Sequence, residues 1–243
     1  MSGNRLSRRT RMRDFNQKFI VEVRELPAST RSSLYVWAAC LAIAGLAFFL
    51  VLLIDVLADH KSAIDAPFAA WLTTTHSPEL TSVMIWLAIL FGPVVLPIVV
   101  LIVIVAWSYF ARHLWRPLML ATGMLTGLII VQILSRLVGR ERPPVEQMLF
   151  GADFTFSFPS GHVLGAADFL LLLTYLVFAR RETPRAAALA YCVAVVLIAV
   201  AAISRVYLGY HWPTDALASV SLSLVILGGV IALDTHRTTR VRG

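Results

Sequence analysis

Charge is scarce in this sequence. Of 243 residues only 14% are Asp, Glu, Lys or Arg, while 58% are hydrophobic. That balance excludes an ordinary water-soluble domain of this length. Cysteine is scarcer still. Cys40 and Cys192 are the two present, and both fall inside apolar runs. A disulfide framework or a cysteine metal cluster is not expected, and both read as small buried hydrophobes. Internal repeats and low-complexity linkers are also lacking.

What is present is length of apolar run. Six blocks, near 34–58, 82–109, 117–138, 162–179, 186–204 and 213–233, approach the about 20 residues that span a bilayer. The first is too long and lies too far in for a cleavable signal peptide. The expected fold is all-α and polytopic, with six transmembrane helices over 33–235. A basic arm (1–32) and a basic tail (236–243) flank it, both cytoplasmic. Gly92, Pro93 and Pro97 predict a kink in the second block. Ile64, Phe68, Trp71 and Leu72 predict a short interfacial helix in the loop 59–80. In the arm, Phe15, Phe19, Val23 and Leu26 fit either an amphipathic helix on anionic lipid or a loosely ordered tail.

The formal charge of +7 invites nucleic acid, but its distribution argues against that partner. Sixteen of the 21 basic residues lie in the arm, the tail and the loops after blocks two and four. Alternating spans put all of these on one side, which the positive-inside rule makes cytoplasmic. The others are Lys61, Arg136, Arg140, Arg142 and Arg205. Four of these five sit in "SRLVGRERP" (135–143) and "SRVYLGYHWPTD" (204–215). Arginines on the disfavoured side point to an anionic ligand. The external segment 143–158 is unusually aromatic, which fits either insertion into the lipid interface or packing on the bundle.

The same alternation brings four helix ends to the external rim. They carry Arg136, Arg140 and Arg142; Ser160, Gly161 and His162; Arg205; and His211 with Asp215. Arginine's planar fork matches phosphate oxygens. Ser160-Gly161 opens a helix, where free N–H groups favour an anion, and Ser160 is also a natural N-cap. His211 and Asp215 are four apart, so the carboxylate can fix the imidazole tautomer and make His211 a nucleophile. His162 then suits proton donation to a leaving oxygen. Arginines supply the charge stabilisation, so neither metal nor cofactor is expected. Asp168 lies six residues past His162, about 9 Å deeper at 1.5 Å per residue. It reads either as a helix–helix hydrogen-bonding group or as a support for the site from behind.

These stretches resemble the signature motifs of the type 2 phosphatidic acid phosphatase family, which shares its site with vanadium haloperoxidases. The second motif is Pro159-Ser160-Gly161-His162. The third is Ser204-Arg205, His211 after five residues and Asp215 after three more. In the first motif, Lys-x6-Arg-Pro, Arg142-Pro143 is present but Ser135 stands in the lysine's place. Arg136 or Arg140 could supply the missing cation, or the site works with one cation fewer, with Arg136 favoured.

The resemblance implies a lipid-phosphate phosphatase of the inner or plasma membrane, acting at the extracytoplasmic face on a phosphomonoester or pyrophosphate headgroup. It implies that His211 attacks phosphorus and forms a phosphohistidine. Asp215 orients it and His162 protonates the leaving group. Arg142, Arg205, Ser160 and Gly161, with Arg136 in addition, hold the phosphoryl oxygens. Phosphoryl transfer between lipids, or phospholipid binding by a non-catalytic site with a degraded first motif, are the alternatives.

Overall fold

The computed structural model describes residues 10, 12–13, 23–59 and 64–242. Strand β1 (Arg24–Leu26) leads into helix α1 (Ala28–Asp59). Helices α2 (Asp65–Thr73), α3 (Pro78–Leu90), α4 (Val95–Phe110) and α5 (Trp115–Val138) follow. The chain then runs through α6 (Gly161–Phe178), α7 (Pro184–Tyr207) and α8 (Pro213–Thr238) to strand β2 (Thr239–Val241). Five helices are long and apolar enough to cross a membrane, and α3 with α4 forms a sixth, broken span bent by 47°. The break falls at Phe91–Val94, where Gly92 and Pro93 leave the helical hydrogen-bond ladder incomplete. The expected kink is therefore present.

The spans are not equivalent. In α6 and α8, 61% of the spanning window is buried inside the protein, against 17–28% for α1, α5 and α7. Helices α6 and α8 are thus the central pair. Helix α1 lies along α8, and α5 and α7 flank α6. The outer faces of the bundle, α3 and α4 included, carry exposed apolar residues such as Trp37, Ile43, Trp86, Leu101 and Val196. Such a surface suits lipid, not water. Cys40 and Cys192 are free and lie on this outer surface, so the expectation that they are buried is not met. An outward thiol on a lipid-facing helix meets the same apolar surroundings, which is why hydropathy did not separate the two cases.

At one end of the bundle β1 pairs in parallel with β2, Arg24 opposite Thr239 and Leu26 opposite Val241. The two ends of the described chain therefore sit on the same side. Phe15 and Phe19 of the expected amphipathic face lie outside the described residues, as does Lys61. At the other end, α2 is the short helix expected in the loop, with Leu72 buried and Phe68 and Trp71 outward. The aromatic segment 143–158 divides its labour. Phe158 is buried against Phe49, and Met148 and Leu149 pack on the end of α7, while Phe150, Phe154 and Phe156 are exposed.

Candidate active site

The end of the bundle opposite the strands gathers the predicted residues. Helix α5 stops at Gly139, whose φ of +63° is left-handed backbone that glycine adopts without strain. That turn carries the chain along the rim, with Arg140 turned inward and Arg142 turned toward a cavity. Helix α6 begins at Gly161 with Ser160 as its N-cap, the Ser160 hydroxyl accepting from Val163 N–H at 3.5 Å. Arg205 sits in the last turn of α7, His211 in the loop before α8, and Asp215 in the first turn of α8.

His211 is 3% exposed and has a defined tautomer. Its Nδ1 lies 2.8 Å from the Ser157 carbonyl oxygen. A carbonyl only accepts, so Nδ1 carries the hydrogen. The lone pair is then on Nε2, which receives a hydrogen bond from Arg142 Nη1 at 3.1 Å. Burial pushes the His211 pKa well below 6.5, and the Arg142 and Arg205 charges add to the effect. The ring is therefore neutral at pH 7, with its Nε2 lone pair accepting from a guanidinium.

Asp215 stands behind this ring. Its Oδ2 accepts from the Trp212 backbone N–H at 2.8 Å and lies 3.5 Å from His211 Nδ1. The shorter bond is the one Nδ1–H donates to the Ser157 carbonyl, which no sequence pattern signals. Asp215 Oδ1 is held by Arg140 at 2.5 Å, and Arg140 also donates to Thr214 and to Asp65. Asp65, at the start of α2, in turn accepts from the Thr214 N–H and hydroxyl. Arg140, Asp65, Thr214 and Asp215 are all essentially inaccessible. Arg140 is thus committed to two carboxylates and does not serve as the missing cation of the first motif. Asp65 was not foreseen. A lone acid on the arginine-bearing rim was the available hint.

The cavity has a volume of about 760 Å³. Arg142, His211, His162, Gly161 and Asp153 line its polar end. Arg142 donates to the Tyr210 and Thr155 carbonyls and pairs with Asp153 at 3.1 Å. Burial lowers the Arg142 pKa against the opposing pull of Asp153 and Asp215. Burial alone would raise Asp153, but hydrogen bonds from Thr155 and the Arg142 charge outweigh it and leave the carboxyl below its ordinary value. Arg205 is buried beneath this end, its guanidinium 4.4 Å from the Tyr210 ring centroid. It has no carboxylate partner among the described residues, and its Nε has no hydrogen-bond partner there. Ser135 and Arg136 also line the cavity, but Arg136 is exposed and its Nη1 donates to Gln132 O at 2.8 Å. Among the described residues no group of three His, Cys, Asp or Glu side chains forms a metal-ligand cluster.

Residues 116–238 match the PAP2 superfamily, a region that holds every motif residue named above. The chain belongs to the PAP2 superfamily. Phosphatidylglycerophosphatase B of Bacillus subtilis (strain 168) is 30% identical over 191 residues, covering 77% of this chain and 91% of that one. A putative undecaprenyl-diphosphatase of Escherichia coli (strain K12) is 28% identical over 155 residues, covering 61% and 73%. The crystal structure of a transmembrane PAP2 type phosphatidylglycerolphosphate phosphatase from Bacillus subtilis superposes with a TM-score of 0.70 at 26% identity. That match covers 79% of this chain and 96% of the other. Within the PAP2 frame the departure at Ser135 stands out, because the site around it is otherwise assembled.

Proposed function

We propose that this protein is an integral membrane phosphatase that releases phosphate from a lipid phosphomonoester or pyrophosphate at the extracytoplasmic face. One observation carries the reading. The unprotonated Nε2 of His211 accepts from Arg142 at the polar end of a cavity whose remaining walls are largely apolar. Once Arg142 shifts off Nε2, a phosphate takes its place between those groups while a hydrocarbon chain occupies the rest. The names of the relatives bring phosphatidylglycerophosphate and polyprenyl diphosphate forward as candidates, beside phosphatidate and lipid A phosphate.

In the proposed reaction His211 Nε2 attacks phosphorus and the bond to the lipid oxygen breaks. That oxygen takes its proton from His162. Water then attacks the phosphohistidine, giving a proton to His162, and the P–N bond breaks to release inorganic phosphate. Ser157 and Asp215 hold the Nδ1–H as the ring becomes cationic. Arg142, which covers Nε2 at rest, shifts its hydrogen bonds to phosphoryl oxygens, joined by Arg205 and the amides of the α6 N-terminus. Ser160 supplies its hydroxyl there only if it leaves Val163. Two arginines meet the charge requirement, so the reaction proceeds without a metal.

The purified protein should release phosphate from at least one lipid of that panel in EDTA, and His211→Ala should lower the rate about a thousandfold or more. Release that persists in the variant, or none from any lipid, would sink the reading. For sidedness, Phe154→Cys in a background without Cys40 and Cys192 should react with an impermeant thiol reagent in intact cells.

A further inference from the structure

The apolar end of the cavity contains one carboxyl group. Asp168 of α6 lines it, yet is only 1% exposed. Its Oδ1 has no hydrogen-bond partner among the described residues. Ser223 of α8 is the neighbouring polar group, but no hydrogen bond of good geometry joins its hydroxyl to the carboxyl. Helix α5 makes room for the carboxylate. A Cβ placed on Gly127 would lie 2.0 Å from Asp168 Oδ2. A buried polar atom without a partner is uncommon and costly at membrane depth. Here the carboxyl group borders the space that a substrate would fill.

We propose that Asp168 is a specificity-determining residue that hydrogen-bonds the ester linker of a glycerolipid phosphate. This rests on the lipid-phosphatase reading above. The distances suit it. Asp168 lies six residues beyond His162, about 9 Å along the helix. In a phosphatidate-type lipid the ester carbonyls come four to six bonds after the leaving oxygen. At roughly 1.2 Å per bond that is about 5–7 Å. The Asp168 side chain leans toward the helix N-terminus and closes the difference. In its neutral form the carboxyl donates its O–H to a carbonyl oxygen. A polyprenyl diphosphate offers only hydrocarbon at this depth.

The test is phosphate release in mixed micelles from three lipids: diacyl phosphatidate, its dialkyl ether analogue and a polyprenyl diphosphate. In the wild-type protein the diacyl lipid should show a KM about tenfold lower than the dialkyl lipid, the scale of one hydrogen bond. Asp168→Leu should raise the diacyl KM about tenfold with little change in kcat, and leave the other two substrates within about twofold. Asp168→Asn, which keeps an N–H donor, should restore discrimination. Equal wild-type KM values for diacyl and dialkyl lipids overturn the proposal even if Asp168→Leu fails to fold. So does an equal loss on all three substrates in Asp168→Leu. Release from none of the three, with another lipid of the wider panel hydrolysed, also overturns the proposal, and release from no lipid of that panel overturns the phosphatase reading itself.

Discussion

Helix α8 carries a buried carboxylate near each end, and the two are satisfied differently. Asp234, at the strand-bearing end, accepts from Trp115 Nε1 at 2.7 Å and the Tyr175 hydroxyl at 3.1 Å, with Arg180 3.7 Å away. Neutral donors do most of that work, and none of these residues lines the cavity. Asp215, at the other end, is gripped by Arg140, which also holds Asp65. Beside that knot lie Arg142 and Arg205, and the cavity. One end is a sealed junction between helices. The other holds more cations than structure requires, facing a space. The surplus positive charge, not the buried acid, distinguishes a site from a joint.

Removing the central cation should separate the two ends most sharply. Arg140→Met leaves Asp65 and Asp215 buried without compensation, which costs about 3–5 kcal/mol. The expected result is a fall of about 10 °C or more in Tm in detergent, or no folded protein. Asp234→Asn keeps an acceptor for Trp115 or Tyr175, so it should cost only about 1–2 kcal/mol. Equal losses would erase the contrast. Arg205 gives the opposite signature. Its Nε has no hydrogen-bond partner among the described residues, so Arg205→Gln should leave Tm within about 2 °C while kcat/KM falls about a hundredfold. A large Tm loss would make Arg205 a structural cation instead.

A smaller effect follows from His211. Burial, with Arg142 and Arg205, holds its folded-state pKa well below 6.5, whereas an unfolded histidine titrates near 6.5. Below that pH the unfolded chain takes up a proton that the folded chain refuses. The contribution to stability is complete above pH 6.5 and is lost as pH falls below it, by up to about 1.4 kcal/mol per unit. Tm measured from pH 7.5 to 5 should decline on that side. His211→Gln should flatten part of the slope. Asp234 is held by Trp115 and Tyr175 and not by a histidine, so Asp234→Asn should leave the slope unchanged.

The spans were legible because hydropathy and length act locally, and the break at Gly92-Pro93 likewise. The rim was legible because alternation of spans is a topological constraint that places Arg142, His162, Arg205 and His211 together without coordinates. What escaped depends on side-chain direction. Arg140 and Arg142 are two residues apart, yet the left-handed turn at Gly139 sends one into a salt knot and the other into the cavity. Asp65 is an isolated acid in a loop, and only the tertiary fold delivers it to Arg140. Ser157 acts through its carbonyl, which carries no sequence signature at all. Asp168 was visible as an intramembrane acid, but not the glycine on α5 that gives it space.

The smallest expected effect concerns the position where the family pattern fails. Ser135 lines the cavity and its hydroxyl donates to the Gln132 carbonyl at 3.3 Å, so it contributes no charge. Arg136 lines the same wall but spends one nitrogen on that carbonyl and is exposed to solvent, which screens it. Ser135→Lys places an ammonium on the cavity side of α5, one turn above the Gly139 break. It should raise kcat/KM a few-fold, because Arg142 and Arg205 already supply the nearer charges. Arg136→Ala should lower it by less than about tenfold. If Arg136→Ala abolishes activity and Ser135→Lys changes nothing, Arg136 leaves Gln132 when substrate binds and holds the lysine's place. The site would then have its surplus cations at full strength, and the contrast with Asp234 would be wider than the resting geometry shows.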